Sequence, residues 1–299
     1  DNGIVRDCVF FARTGGAGTG VYQFSSIKDC RFENLDVGVQ TEGYDVHAVI
    51  DGNNFENCDY GVYCNTSSYR TTIVNNKLRS SNSSAIHLKN AQGNYVISNN
   101  HIWDGSGDYG IYIEDSRGGS ITGNIIKGCS LSIGIYIDGG GDSYTNSVII
   151  SSNVITDCTV GTGIHCNMVT NSYDYYEEGA VISNNNIHNN TGGVGISILD
   201  DGAVVQGNLI TDLARSGSVI GIDARTDEAT ITGNVIRELR GSTSNWGIDN
   251  YGNNAIVGNT IQINVSSSSN SYGIYNENWV TSSKGLCVNS NRIKVTNPG

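Results

Sequence analysis

The feature that most constrains this chain is a repeat. The pattern I-x-x-N-x-I, a turn, G-I-x-I and a second turn recurs along the whole length, most plainly from Ile121 to Ile126, Val205 to Ile210, Ile231 to Ile236 and Ile256 to Ile261. The slot held by Asn in these copies falls at Cys8, Cys30, Asn53, Asn76, Asn100, Asn124, Asn153, Asn185, Asn208, Asn234, Asn259 and Asn291, a mean spacing of about 26 residues. A Gly heads the second element at nearly every step, as at Gly61, Gly110, Gly134, Gly163, Gly221 and Gly247. Apolar and polar residues alternate with period two in each element, which reads as short strands, and no segment sustains a helical period. A single repeat cannot bury its own apolar face, so the repeats must stack. Stacked strands in register rise about 4.8 Å per coil, so twelve coils predict a rod of roughly 55 Å. The Asn slot then forms an internal ladder of amides bonded coil to coil. The Gly at the second element suits a corner that needs either positive φ or close backbone approach.

Composition narrows the function. Charged residues make up only 15% of the 299, while Gly and Asn number 39 and 37. The net charge of -12 and isoelectric point near 4.7 argue against nucleic acid, which needs a basic face, and against an anionic membrane surface. No apolar run approaches the ~18 residues of a membrane span, so no membrane insertion is expected. The sequence starts at Asp1, which suggests a processed chain or a piece of a longer one. An extracellular or cell-surface location after removal of a signal peptide is the expectation.

With G-N-L-I, G-N-V-I and S-N-N-N-I motifs followed by G-I-x-I, the chain resembles the right-handed parallel β-helix repeat proteins of the pectate-lyase-like superfamily. The resemblance runs over nearly the whole sequence. It implies an all-β, right-handed parallel β-helix solenoid of about 12 turns, one domain over 1–299. It implies little about activity, because that superfamily holds lyases, hydrolases, epimerases, phage tailspikes, adhesins and structural proteins. The polygalacturonase motifs are incomplete here. Asp200-Asp201 and Arg292-Ile293-Lys294 are present, but N-T-D and G-H-G are not.

Several side chains are singled out by position. The second residue after each corner Gly points outward and reads Tyr63, His87, Tyr112, Tyr136, His165 down five successive coils, a row of rings able to stack on sugar faces. Two positions further on come Asn65, Lys89, Glu114, Asp138 and Asn167. Glu114 and Asp138 are thus one coil apart, a carboxyl separation of ~5 Å as in retaining glycosidases, although Lys89 is placed to pair with Glu114. Among the cysteines, Cys8 and Cys30 sit in the ladder slot, Cys129 and Cys158 stack in adjacent coils, and Cys58, Cys64 and Cys166 face inward. They read as small core residues, with disulfides between stacked pairs as the alternative. Cys287 alternates outward and is a candidate intermolecular thiol.

Two long turns, Gly139 to Asn146 and Asn167 to Gly179, project from one edge and are placed to wall a groove beside Tyr136 and His165. Gly139 to Asp142 is a fragment of a calcium-binding repeat, so Ca²⁺ is a weak expectation. No metal site and no other cofactor are expected. Four N-x-S/T sequons occur, at Asn65, Asn82, Asn189 and Asn264.

Neither terminus shows a capping helix. The ends are expected to be uncapped, with Val9 and Ile293 as inward end positions. The first functional expectation is therefore an extracellular structural or surface protein, a rod whose copies assemble end to end in an envelope, sheath or filament. The alternatives are a carbohydrate-active enzyme (glycosidase, lyase or epimerase) working through Glu114 and Asp138, and a tailspike or adhesin module that binds polysaccharide without chemistry.

Overall fold

Alternation of apolar and polar residues produces the expected strands, and in-register stacking organises them into three parallel sheets. The computed structural model describes residues 3–12, 18–42, 47–65, 70–90, 94–115, 118–139, 147–168, 179–264, 270–276 and 286–296. Every third strand in the chain belongs to the same sheet. The strand before the Asn slot, as in Val204–Gln206, lies in sheet 1. The strand after it, as in Leu209–Arg215, lies in sheet 2. The Gly-headed strand, as in Val219–Ala224, lies in sheet 3. The sheets contain 12, 13 and 11 strands, the second including the short Arg240–Gly241, which pairs with Leu209–Arg215. The pairing between the named strands is parallel throughout, as in Val204↔Thr230, Leu209↔Val235 and Ile222↔Ile248. The chain is an all-β right-handed parallel solenoid, and the described residues include no helix. Among the described residues no helix is long and apolar enough to cross a membrane.

The Asn ladder is the interior seam. Asn208 donates from Nδ2 to the Ile182 carbonyl at 2.9 Å and to Asn234 Oδ1 at 3.0 Å. Its own Oδ1 accepts the backbone N–H and the Nδ2 of Asn185 at 2.9 and 3.0 Å. The same pair of contacts repeats without a break from Asn53 to Asn291. Cys30 continues it as a backbone donor to Asn53 Oδ1, at 2.9 Å. Each amide is buried from Asn53 to Asn259, so its polar groups are met by the neighbouring coils and not by water.

Glycine has two separate jobs here. In the G-N pair, Gly207 adopts φ +63, a left-handed turn that swings the next residue's amide inward. Asn75, Asn99 and Asn184 take the same conformation one place before the ladder in other coils, as Asn tolerates it best among residues with a Cβ. The Gly heading sheet 3 needs no positive φ. A Cβ on Gly221 would lie 2.5 Å from the Gly247 carbonyl oxygen and 2.6 Å from Ile236 Cγ2. Close approach of coils is therefore its whole role.

The core follows the alternation. Ile50, Ile73, Ile97, Ile121 and Ile150 form one fully buried column. Phe10, Phe32 and Phe55 stack their rings 5.0 and 4.8 Å apart in another. This corrects the sequence reading at one end: Val9 pairs with Arg31 in the outward register and is 63% exposed, while Phe10 points in. Ile293 lies in the inward register, opposite Ile261.

All eight cysteines are free thiols and six of them are buried, so they fill the core as read from the sequence, and the alternative of disulfides between stacked pairs is corrected. Neighbours in a parallel column aim their Cβ atoms the same way instead of toward each other, a poor geometry for an S–S bond. Cys129 and Cys158 donate instead to the Lys127 and Thr156 carbonyls, at 3.3 and 3.1 Å. Burial pushes the Cys58 and Cys64 thiols up to about 11, so they stay protonated and apolar.

Replacing Asn208 with Asp tests the seam. A carboxylate oxygen would replace the Nδ2 donor and face the Ile182 carbonyl and the Asn234 amide oxygen. Breaking such a buried network costs about 3–5 kcal/mol. Urea unfolding of Asn208→Asp at neutral pH should show a loss of that size, and an unchanged midpoint would refute the seam.

Candidate functional site

The outward face of sheet 3 carries a column of rings. His87 pairs in register with Tyr63 on one side and Tyr112 on the other, Tyr112 with Tyr136, and Tyr136 with His165. The structure therefore brings together all five residues read from the sequence. Ring centroids of His87 and Tyr112 lie 4.5 Å apart, and those of Tyr112 and Tyr136 lie 5.1 Å apart and within 3° of parallel. Tyr63 meets His87 edge-on at 5.1 Å, and His165 tilts against Tyr136 at 5.1 Å. These separations are the favourable ones for aromatic pairs.

Two rings escaped the sequence reading. Tyr60 and Tyr109 precede the corner Gly by one residue and also face outward. Tyr109 lies 4.5 Å from Tyr112 and 5.4 Å from Tyr136, and Tyr60 lies 5.5 Å from Tyr63. Period-two alternation would turn both inward, but it breaks at the corner, where Gly61 and Val62, and Gly110 and Ile111, are buried in succession. Together the rings form a platform two columns wide at its centre. Each ring is half-buried by its neighbours, except His87, which is 8% exposed.

Beside the platform runs the polar column. Lys89 pairs with Glu114 and Glu114 with Asp138. Lys89 Nζ donates to Glu114 Oε1 at 2.6 Å, and His87 Nε2 lies 3.1 Å from Glu114 Oε2. A carboxylate only accepts, so Nε2 carries the His87 proton and Nδ1 is the lone-pair nitrogen. That Nδ1 is buried and has no hydrogen-bond partner.

The two carboxyls are pushed in opposite directions. Burial tends to raise Glu114, but the hydrogen bonds from Lys89 and His87 outweigh it and hold Glu114 below the usual range. Asp138 is raised by burial and by the charges of Asp115 and Glu114, against a hydrogen bond from Tyr136. Burial lowers His87 despite its Glu114 partner, and burial with the Arg225 charge lowers His165.

The column continues past His165 through Ser197, Asp223, Asp249 and Tyr275. Arg225 reaches both oxygens of Asp223 at 3.1 Å and lies 5.1 Å from the Tyr251 ring centroid. The sequence reading stopped one coil short of this stretch.

Other candidates fall elsewhere. Asp200 and Asp201 hold a turn: Asp200 accepts the Ala180 N–H at 2.5 Å, and Asp201 accepts Thr226 Oγ1 at 2.7 Å and the Asp227 N–H at 2.8 Å. Cys287 is exposed and pairs with Ala255 in the outward register. The long turns, with the calcium-repeat fragment, fall on residues 140–146 and 169–178, outside the described residues. Among the described residues no group of three or more His, Cys, Asp or Glu side chains is placed to hold a metal ion.

This architecture defines a class, the right-handed β-helix proteins. The chain belongs to that family: the family described as "Right handed beta helix region" matches residues 8–177. No curated protein matches the chain. Among solved structures it is similar to a mutant of the periplasmic alginate epimerase AlgG, with 13% identity and a TM-score of 0.41, covering 96% of this chain and 78% of that one. It is also similar to tailspike protein 3 of bacteriophage CBA120, with 10% identity and a TM-score of 0.34, covering 96% of this chain and 54% of that one. These likenesses concern the fold.

The lowered His165 makes a pH prediction. The unfolded chain takes up a proton near pH 6.5, whereas the folded chain resists it. The stabilisation is therefore fully present above about pH 6.5 and lost as the pH falls toward the folded value. Between pH 7.5 and 5.0, His165→Gln should lose less melting temperature than the parent chain. Equal losses would count against a buried, neutral imidazole.

Proposed function

We propose that this chain binds an extended, predominantly neutral polysaccharide along the outward face of sheet 3. The observation that carries the reading is the two-column platform of Tyr60, Tyr63, His87, Tyr109, Tyr112 and Tyr136. Its rings stand at the coil spacing of about 4.8 Å, so that His87, Tyr112 and Tyr136 cover one another's faces and the tyrosines present their edges and hydroxyls to solvent. Ring edges and hydroxyls of this kind meet the C–H groups and hydroxyls of sugar rings, and the adjoining Lys89, Glu114, Asp138 and Asn167 suit further sugar hydroxyls. A net charge of -12 disfavours a densely anionic chain. Such a role belongs outside the cell or at its surface.

The opposed shifts of Glu114 and Asp138 favour a second reading, in which the bound chain is also cleaved. Asp138, with its proton affinity raised, would be the general acid of the pair and Glu114, held toward the ionised form, its partner carboxylate. The ion pair with Lys89 serves equally well to hold Glu114 as a binding group.

Assembly end to end remains a separate proposal. Its support is the exposure of Val288 at 48%, Ile293 at 46% and Val295 at 43% on the last described coil, in register with the buried Ile256, Ile261 and Ile263, with the Cys287 thiol beside them. Apolar side chains are exposed wherever a stack of coils stops, so they mark no partner by themselves. For that reason the platform carries the main reading.

A glycan array tests it. Tyr136→Ala should weaken binding of the best oligosaccharide about tenfold, the size of one lost ring contact. Absence of binding to every neutral glycan would overturn the proposal. If cleavage occurs, Glu114→Gln and Asp138→Asn should each abolish turnover and leave binding within twofold. Light scattering tests assembly independently. Under oxidising conditions the parent chain should form species larger than a monomer and Ile293→Lys should not, while a strictly monomeric parent at high concentration would refute it.

A further inference from the structure

A second concavity lies on the corner where the chain passes from sheet 2 to sheet 3. It is an open groove of about 490 Å³, running along the axis over successive coils. Ser130, Ser132, Thr159 and Thr191 line it, with Asp108 at one end and Arg215 at the other. The coils approach closely beneath it: a Cβ on Gly192 would lie 2.1 Å from the Val160 carbonyl oxygen.

Arg215 is laid back toward the groove. Its guanidinium crosses Gly193 so closely that a Cβ there would lie 2.5 Å from Nη1. Two acidic residues nearby in the chain, Asp212 and Glu238, are bound by Arg240 instead, at 2.8 and 2.6 Å. Among the described residues none forms a hydrogen bond or ion pair with the Arg215 side chain. Asp108 is three coil steps from Gly193, about 14 Å, beyond the ~8 Å over which its charge acts at physiological salt.

We propose that this groove is a saccharide subsite for a branch that carries an anionic group, with Arg215 pairing its carboxylate or sulfate oxygens. The inference rests on the polysaccharide reading above and adds the branch. A hydroxyl-lined trough offers donors and acceptors to sugar hydroxyls, and a guanidinium left without a partner selects a planar or tetrahedral oxyanion through paired N–H donors. The branch follows from placement. Ser132 and Tyr136 share the strand Ser130–Asp138, and Thr159 and His165 share Thr159–Asn167. Groove and platform therefore lie side by side over these two coils, roughly 13 Å apart from Ser132 to Tyr136 and at most about 20 Å from Thr159 to His165. An unbranched chain running along the axis fills one or the other. A main chain on the rings with a side chain across the corner fills both.

The test is a titration of the isotope-labelled chain with glucuronate, glucose 6-sulfate and glucose, followed by NMR. The expected result is a shift of the Arg215 Nε–Hε and Thr159 amide signals by the charged sugars at millimolar concentration, with glucose binding at least tenfold more weakly. Response to glucuronate alone identifies a uronic branch, response to the sulfate ester alone a sulfated one, and response to both the shared oxyanion. Arg215→Gln should abolish the preference, and Arg215→Lys should restore part of it. The proposal fails if glucose shifts these signals as strongly as the charged sugars, or if Arg215→Gln titrates like the parent. The platform is read separately, from the Tyr112 and Tyr136 signals with neutral oligosaccharides. Loss of either response leaves the other measurable.

Discussion

Coil-to-coil registry is the constraint on which everything else depends, and the Asn ladder enforces it. Each buried amide must find two acceptors and two donors in the coils above and below. A slip by one residue would strand these groups in the core and turn every flanking side chain to the opposite face. The ladder therefore selects a single register from many that the apolar columns alone would tolerate. The Ile columns supply burial of roughly 1.5–3 kcal/mol per side chain, but one Ile packs on another almost equally well after a shift. Specificity thus comes from the polar seam, and most of the driving force from the apolar walls around it.

Registry also makes the surface. When coils repeat at one spacing, whatever stands at a given outward position is copied into a column, and residues about 25 apart in the chain become neighbours. The stacked rings, the Lys89–Glu114–Asp138 series and the hydroxyl-lined corner all arise in this way. Such columns match the periodic character of a polysaccharide. They also create like-charge contacts, and the opposed behaviour of Glu114 and Asp138 is the electrostatic consequence of placing two carboxyls on adjacent coils with a lysine on one side only.

Much of this was legible before any coordinates. The five-ring column and the in-register carboxyl pair could be written down from spacing, because a solenoid converts sequence period into spatial adjacency with little ambiguity. The inward reading of Val9 is an error of phase: the repeat turns in the second residue after the ladder slot, which after Cys8 is Phe10. Elsewhere the period carries no information. Spacing leaves the stacked thiols open to a disulfide alternative, because it reports Cα proximity and says nothing of Cβ direction. It also gives both glycine roles to one position, since sterics and φ cannot be separated without neighbours. Tyr60 and Tyr109 lie outside the period-two rule, because two successive inward residues at the corner shift its phase by one.

What the sequence alone determined is the solenoid: strands of period two, a repeat near 26 residues, a polar slot that only stacking can satisfy, and outward columns at predictable positions. What the tertiary structure decided is how long side chains are spent. Glu114 is committed to Lys89 and His87, Asp223 to Arg225, and Asp212 and Glu238 to Arg240, while Arg215 lies over Gly193 with no described partner. Those outcomes depend on rotamers and on distances of a few ångströms across corners. A one-dimensional period carries neither, because it specifies where each Cα recurs and leaves open where a flexible side chain of four or five bonds will end.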